Sequence, residues 1–215
     1  MIARKNSAKI FVALITLLVS GCINLLPPAP LPSKKVLLSP NPSFSSTSFS
    51  NPVQISVIKP TVSPTLEFNK ILVVNQLNTG LKTADFIADV EWAEPLPQIV
   101  HENLLESLEK THLFKAVGRE HDNLKASFLL QTDLRHFEVL AEENSLKEVF
   151  IEIDVKVIRV SKRDVIAQQS FSKRQKIKDS TLVAAIDGFN RSFSKILEEL
   201  VPWLSKQSFQ IKSKD

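Results

Sequence analysis

The chain has 215 residues, 43% of them hydrophobic and 23% charged, with a formal net charge of +4. That is the composition of a folded globular protein, long enough for one domain with a tether and hardly for two. Its single cysteine, Cys22, excludes an intramolecular disulfide.

Arg4, Lys5 and Lys9 make the N-terminus basic, and Ile10 to Val19 is an apolar run broken only by Thr16. Ser20 and Gly21 follow, then Cys22. A basic segment, a short apolar run and a small-residue cleavage site mark a secretory signal. The run is shorter than the roughly 20 apolar residues that a membrane-spanning helix needs. Leu18-Val-Ser-Gly-Cys22 resembles the lipobox of bacterial lipoproteins. The resemblance implies cleavage between Gly21 and Cys22, diacylglycerol on the Cys22 thiol and acylation of the new N-terminus. Several acyl chains give a stable anchor where one gives a reversible one. Ile23 stands where an Asp favours inner-membrane retention in Gram-negative sorting, so the expected destination is the outer membrane, facing the periplasm.

Residues 22–52 read as a Pro/Ser-rich tether. Pro27, Pro28, Pro30, Pro32, Pro40 and Pro42 favour extended backbone, and Ser43-Phe-Ser-Ser-Thr-Ser-Phe-Ser50 has little to bury. Thirty such residues could reach roughly 90 Å. Val36-Leu-Leu38, Phe44 and Phe49 are odd in a pure linker and mark segments that dock on the domain or on a partner.

The domain is expected over 53–204, with a charged tail at 205–215. Val53, Ile55 and Val57 alternate with Gln54, Ser56 and Ile58 as in a strand. Ile71-Leu-Val-Val74 is a second strand, Asn78-Thr-Gly80 a turn, and Ala84 to Trp92 an ambiguous segment. Pro95 and Pro97 suit the first turn of a helix whose stripe is Leu96, Ile99, Val100, Leu104, Leu105 and Leu108, ending near Lys110 to His112. Phe114 to Val117 is a short strand. Phe128, Leu130 and Leu134 share a face of a strand over 126–137. Over 149–160, Ile151, Ile153, Val155 and Val157 point inward against Glu152, Asp154 and Lys156. Ser161 to Asp164 turns the chain into a return strand over 165–173, with Val165, Ala167 and Phe171 inward. A last helix runs from about Ser180 to Leu204, capped by Asp179 or Ser180, its stripe including Leu182, Val183, Phe189, Phe193 and Leu200. The expected fold is α+β: a mainly antiparallel sheet with two amphipathic helices packed on one face.

Catalytic chemistry has no foothold in these residues. His101-Glu102 begins like a zinc-protease motif, but position 105 is leucine. His112, His121 and His136 are isolated, no Gly-x-Ser-x-Gly elbow occurs, and the four glycines are far apart. Glu142-Glu143 falls in an expected turn. The cluster Lys173-Arg-Gln-Lys-Ile-Lys178 reads as a solvated strand end, with contact to anionic lipid or an acidic partner as the sharper alternative. No enzyme activity, metal or cofactor is expected.

One segment is distinctive: Val90-Glu-Trp-Ala-Glu-Pro-Leu-Pro97, then Leu104, Leu105 and Leu108, then Phe114-Lys-Ala-Val-Gly118. With Leu134-Arg-His-Phe-Glu138, Ile55-Ser-Val-Ile-Lys-Pro60 and Phe68-Asn-Lys-Ile-Leu-Val-Val74, it resembles the ABC-type transport auxiliary lipoproteins, the PqiC-like family. The resemblance covers about 53–204 and the lipobox. It departs in lacking a Tyr-Tyr-x-Leu motif after the cysteine and a glycine-rich turn where Glu142 to Leu146 stands. It implies a non-catalytic accessory of a transporter that moves lipids between the inner and outer membranes. The implied partners are an MCE-domain substrate-binding protein and, through it, an ABC permease and ATPase; a homo-oligomer stays open. The alternative is a structural or assembly lipoprotein of another envelope complex. Trp92 has two readings, a wedge buried between helix and sheet or an interface anchor. Glu94 either serves the partner interface beside it or assists the helix start through the dipole.

Overall fold

The computed structural model describes residues 33–44 and 51–209. The signal segment, Gly21, Cys22, Phe49, and the first and last parts of the expected tether lie outside them.

Among the described residues nine strands form one sheet, with two helices. In chain order these are β1 (Lys34–Val36), β2 (Asn51–Val57), β3 (Thr61–Val62), β4 (Lys70–Gln76), β5 (Lys82–Trp92), α1 (Leu96–Thr111), β6 (Phe114–Arg119), β7 (Phe128–Glu142), β8 (Ser145–Arg159), β9 (Asp164–Lys176) and α2 (Leu182–Ser205). The α+β class holds, but the sheet is mixed. β4–β5, β7–β8 and β8–β9 are antiparallel, whereas β1–β5, β2–β6, β2–β7, β3–β7 and β4–β7 are parallel. The cause is β7. One of its edges pairs with β8 along nearly the whole strand, and the other is shared end to end by β2, β3 and β4. The continuous run Ile71-Leu-Val-Val74 carried the clue, because strands buried on both faces, as parallel ones are, lose alternation.

The long hairpins follow from local chemistry. Glu143 and Asn144 both take left-handed backbone, φ 45° and 63°, so a two-residue turn joins β7 to β8 and matches their twist. Asn tolerates that conformation better than most residues. β9 carries a bulge: Ala167 faces Val157 and Val165 faces Ile158, leaving Ile166 as the extra residue. Val165 is therefore 52% exposed rather than inward as the alternation implied, while Ile166 and Ala167 pack on the core.

Both helices bury their stripes in one cluster with the inner face of the sheet. α2 starts two residues later than expected, and its cap is Thr181, whose Oγ1 accepts from the Ala184 N–H at 3.2 Å. At 100° per residue Val183 sits about 100° from the centre of the stripe, and it is 77% exposed. Gly188 is required by close approach, since a Cβ there would lie 3.0 Å from Val149 and 3.1 Å from Ile177. The tail folds back far enough for Phe209 to be buried edge-on against Phe114 and Phe128. The charged tail therefore begins no earlier than residue 210.

Residues 33–44 are a bound strap rather than free tether. β1 pairs with Val90–Trp92 of β5, Leu38 is buried and Phe44 packs on the core. The N–H groups of Ser39, Asn41 and Ser43 donate to Asn190 Oδ1 (2.8 Å), Ser194 Oγ (2.9 Å) and Glu198 Oε1 (2.8 Å) on α2. Two extended residues and one helical turn both advance about 6 Å. Every second donor of the strap thus meets every fourth residue of the helix. Pro40 and Pro42 occupy the alternate positions, where no N–H is needed.

Glu91 clamps the start of the strap. Its carboxylate accepts from Lys35, from Lys70 Nζ at 2.6 Å and from Asn69 Nδ2 at 2.7 Å. The hydrogen bond from Lys35, then those from Lys70 and Ser33, bring its pKa from 4.5 down to about 2. A carboxyl lowered on folding stabilises the fold above its unfolded pKa and loses that contribution as the pH falls towards the folded value. The thermal midpoint of the protein should therefore fall more steeply between about pH 4.5 and pH 2 than that of Glu91→Gln. Equal slopes would show that the clamp contributes nothing. The partners are exposed lysines, so the difference should be modest and shrink in high salt.

Candidate functional site

On the outer face of the sheet the strand register sets side chains into rows. Partnered residues of neighbouring strands share a face. One row is Ala84, Val74, Leu140, Glu148 and Lys176. The next is Phe86, Leu72, Glu138, Phe150 and Arg174. A bulge in β8 between Glu148 and Leu146 leaves Lys147 as the extra residue and aims it at the same face. The parts of these rows on β4, β7, β8 and β9 border a groove of about 840 Å³, whose floor includes Val74, Leu140 and Phe150 and whose rim includes Lys82, Lys147 and Lys176. That volume lies in the range of ligand sites, about 300–1,000 Å³.

The polar groups at the floor are held in place. Glu138 is 6% exposed; it accepts from His136 Nδ1 at 2.8 Å and from the Phe137 N–H at 3.2 Å. The His136 ring lies 4.6 Å from that of Phe150. The Arg174 guanidinium sits 4.1 Å from the centre of the Phe150 ring as a cation–π contact and donates to Glu148 at 2.9 Å. Asp154, expected to face water, is buried beneath Gln168 and Ser170, which donate to it at 2.8 Å each. Among the described residues Lys82, Lys147 and Lys176 have no ion-pair partner, and neither does Glu142.

The residues singled out from sequence lie elsewhere. Trp92 is 1% exposed, edge-on to Phe189 of α2 (5.3 Å) and Phe137 of β7 (5.9 Å), and those two rings stack at 4.7 Å. Of its two readings the burial matches the wedge, and the indole presents no surface to a partner. Glu94 is exposed just ahead of Pro95, which stands at the N-cap of α1. The four histidines are not brought together. His101 is buried with Nε2 donating to the Val57 carbonyl at 2.9 Å, His112 ends α1 with φ 52°, and His121 is exposed. The basic cluster divides: Lys173 pairs with Glu199 at 2.5 Å, Arg174 with Glu148, and Lys176 faces the groove.

Sequence reasoning missed the groove. Phe150 falls in step with Glu152 and Asp154, an aromatic residue on a face expected to be polar, and that was the available signal. Nothing in the alternation showed that β4 lies beside the same stretch of β7.

The family described as ABC-type transport auxiliary lipoprotein component matches residues 36–201, from inside the strap to the last part of α2. Over 117 residues, 54% of the chain, there is 28% identity to an uncharacterized protein of Bradyrhizobium diazoefficiens. The match spans 31% of that protein, so the chain covers about a third of its length. A crystal structure of a Xanthomonas campestris protein of the DUF330 family superposes with a TM-score of 0.63 at 21% identity, covering 80% of this chain and 92% of that one. Another, of an uncharacterized protein, gives 0.56 at 13% identity, covering 76% and 98%. At such identities the likeness is one of fold.

Proposed function

Because the chain belongs to the ABC-type transport auxiliary lipoprotein family, we propose that it serves an ABC/MCE-type intermembrane lipid transport system. In this reading it is an outer-membrane-anchored periplasmic accessory, a non-catalytic adaptor. The family match over residues 36–201 carries the reading. A sequence resembling a lipobox at Cys22, a strap tied to α2 and a sheet domain with a ligand-sized groove support it. The strap also sets the reach. Ser33 follows Cys22 by eleven positions, at most about 37 Å at full extension, so an anchor on Cys22 would limit the reach of the strap to that rather than to roughly 90 Å.

The test is a crosslinked pull-down of the tagged, lipidated protein from envelopes, read by mass spectrometry. The expected result is recovery of an MCE-domain protein with an ABC permease or ATPase. Recovery of other envelope proteins with no MCE or ABC component would overturn the reading in favour of a structural or assembly lipoprotein.

A further inference from the structure

We propose that the outer-face groove binds a phosphate-headed amphiphile, its head between Lys147 and Lys176 and its apolar part against Leu140, Phe150 and Val74. The site would make the domain a ligand-binding module in its own right, whichever envelope assembly it serves.

Three observations carry this. The first is the imbalance of charge. Arg174 is already engaged by Glu148 and by the Phe150 ring, and Glu138 is engaged by His136. That leaves three lysines against Glu142. Lys147 and Lys176 are neighbours, since Lys176 faces Glu148 in the ladder and the Ile177 N–H donates to the Lys147 carbonyl at 3.0 Å. Lys82 stands on the far flank, four strands away from Lys176, about 19 Å at the usual strand spacing. Lysine ammonium groups act as point charges suited to phosphate, whereas the planar fork that would select a carboxylate belongs to Arg174, which is occupied.

The second observation is the floor. Val74, Leu140 and Phe150 give the groove an apolar base that an inorganic ion does not need. The third is what the floor withholds. β4, β7 and β8 are each hydrogen-bonded on both edges there, so no open strand edge is offered to the backbone of a peptide. Strand addition by an acidic segment requires such an edge. A basic rim over an apolar floor with no free backbone matches a molecule that binds by a charged head and an apolar tail.

The test uses the full-length protein in the envelope of the cells that express it. A benzophenone amino acid replaces Leu140 in one variant and Val74 in another. The cells are grown in ³²P-phosphate, irradiated and run on denaturing gels. The expected result is a ³²P-labelled band at the size of the protein for both positions, and none when the probe is placed at Val183 on α2. Lys147→Glu/Lys176→Glu, two exposed changes, should reduce the label at least fivefold while the amount of protein stays the same. No label at either groove position, label unaffected by charge reversal, or crosslinks only to another protein would each overturn the proposal. The pull-down of transporter components is a separate readout, so either result can fail while the other stands.

Discussion

Replacing Cys22 by alanine should move the protein from the membrane fraction to the soluble periplasm, or leave it as an uncleaved precursor. In the lipobox reading the change is all-or-none, because Cys22 is the sole thiol in the sequence and would be the sole acceptor for the diacylglycerol group. Each buried methylene of an acyl chain contributes about 0.8 kcal/mol, and several chains together give an anchor that dilution does not reverse. Among the described residues no helix is long and apolar enough to cross a membrane. Fractionation and the mass of the mature N-terminus check this. A Cys22→Ala protein that still fractionates as a mature outer-membrane species would remove the lipobox assignment. The fold should be unaffected, because the strap begins eleven residues later and is held by its own contacts with α2 and β5.

Trp92→Ala should cost about 3–5 kcal/mol of stability, the range for deleting a large buried aromatic ring. Small domains have only about 5–15 kcal/mol in total, so the variant should be largely unfolded or close to it at 37 °C. The indole lies at the junction of three elements. It ends β5, meets Phe189 of α2 edge-on and meets Phe137 of β7 edge-on. Its loss would open a cavity beside the Phe137–Phe189 stack, and each such ring pair adds about 0.5–1.5 kcal/mol beyond the area it buries. Urea unfolding followed by far-UV circular dichroism measures the cost. Trp92→Phe keeps most of the volume and should lose much less. It also separates the wedge from an interface anchor. With a folded Trp92→Phe protein, unchanged recovery of transporter components fits the wedge; their loss would assign Trp92 a contact that forms only when the domain opens.

Smaller effects are expected at the surface. The groove reversal at Lys147 and Lys176 should change ligand capture and leave the fold alone, since both side chains stand at the rim. The Glu91 clamp should contribute above about pH 4.5 and fade as the pH falls towards 2, so the deficit of Glu91→Gln should shrink in acid.

Much of the molecule was legible in its residues. The signal and lipobox readings rest on local order alone and lie outside the described residues. α1 and the β8–β9 hairpin announce themselves by period, because a helix or half-buried strand must repeat its apolar residues every 3.6 or 2 positions to cover a core. The docking of Val36, Leu38 and Phe44 was foreshadowed by their presence among prolines, where a free linker has no use for them. Family membership rested on the Trp-Ala-Glu-Pro segment and on the order of elements around it, and the match over 36–201 bears it out.

The properties that escaped the sequence were those set by a partner distant along the chain. Period reports that a side chain faces a core, not which strand lies beside it, so the parallel pairing of β2, β3 and β4 with β7 was invisible. A single inserted residue, Ile166 in β9 or Lys147 in β8, redirects its neighbours along the strand without any mark in composition. The strap looked like a tether because its prolines favour extended backbone in either case; only α2, with Asn190, Ser194 and Glu198 one turn apart, made it a bound segment. The groove is the extreme case. Its lining comes from β4, β5, β7, β8 and β9 at once, and a surface assembled from five strands exists only after the sheet has brought them side by side.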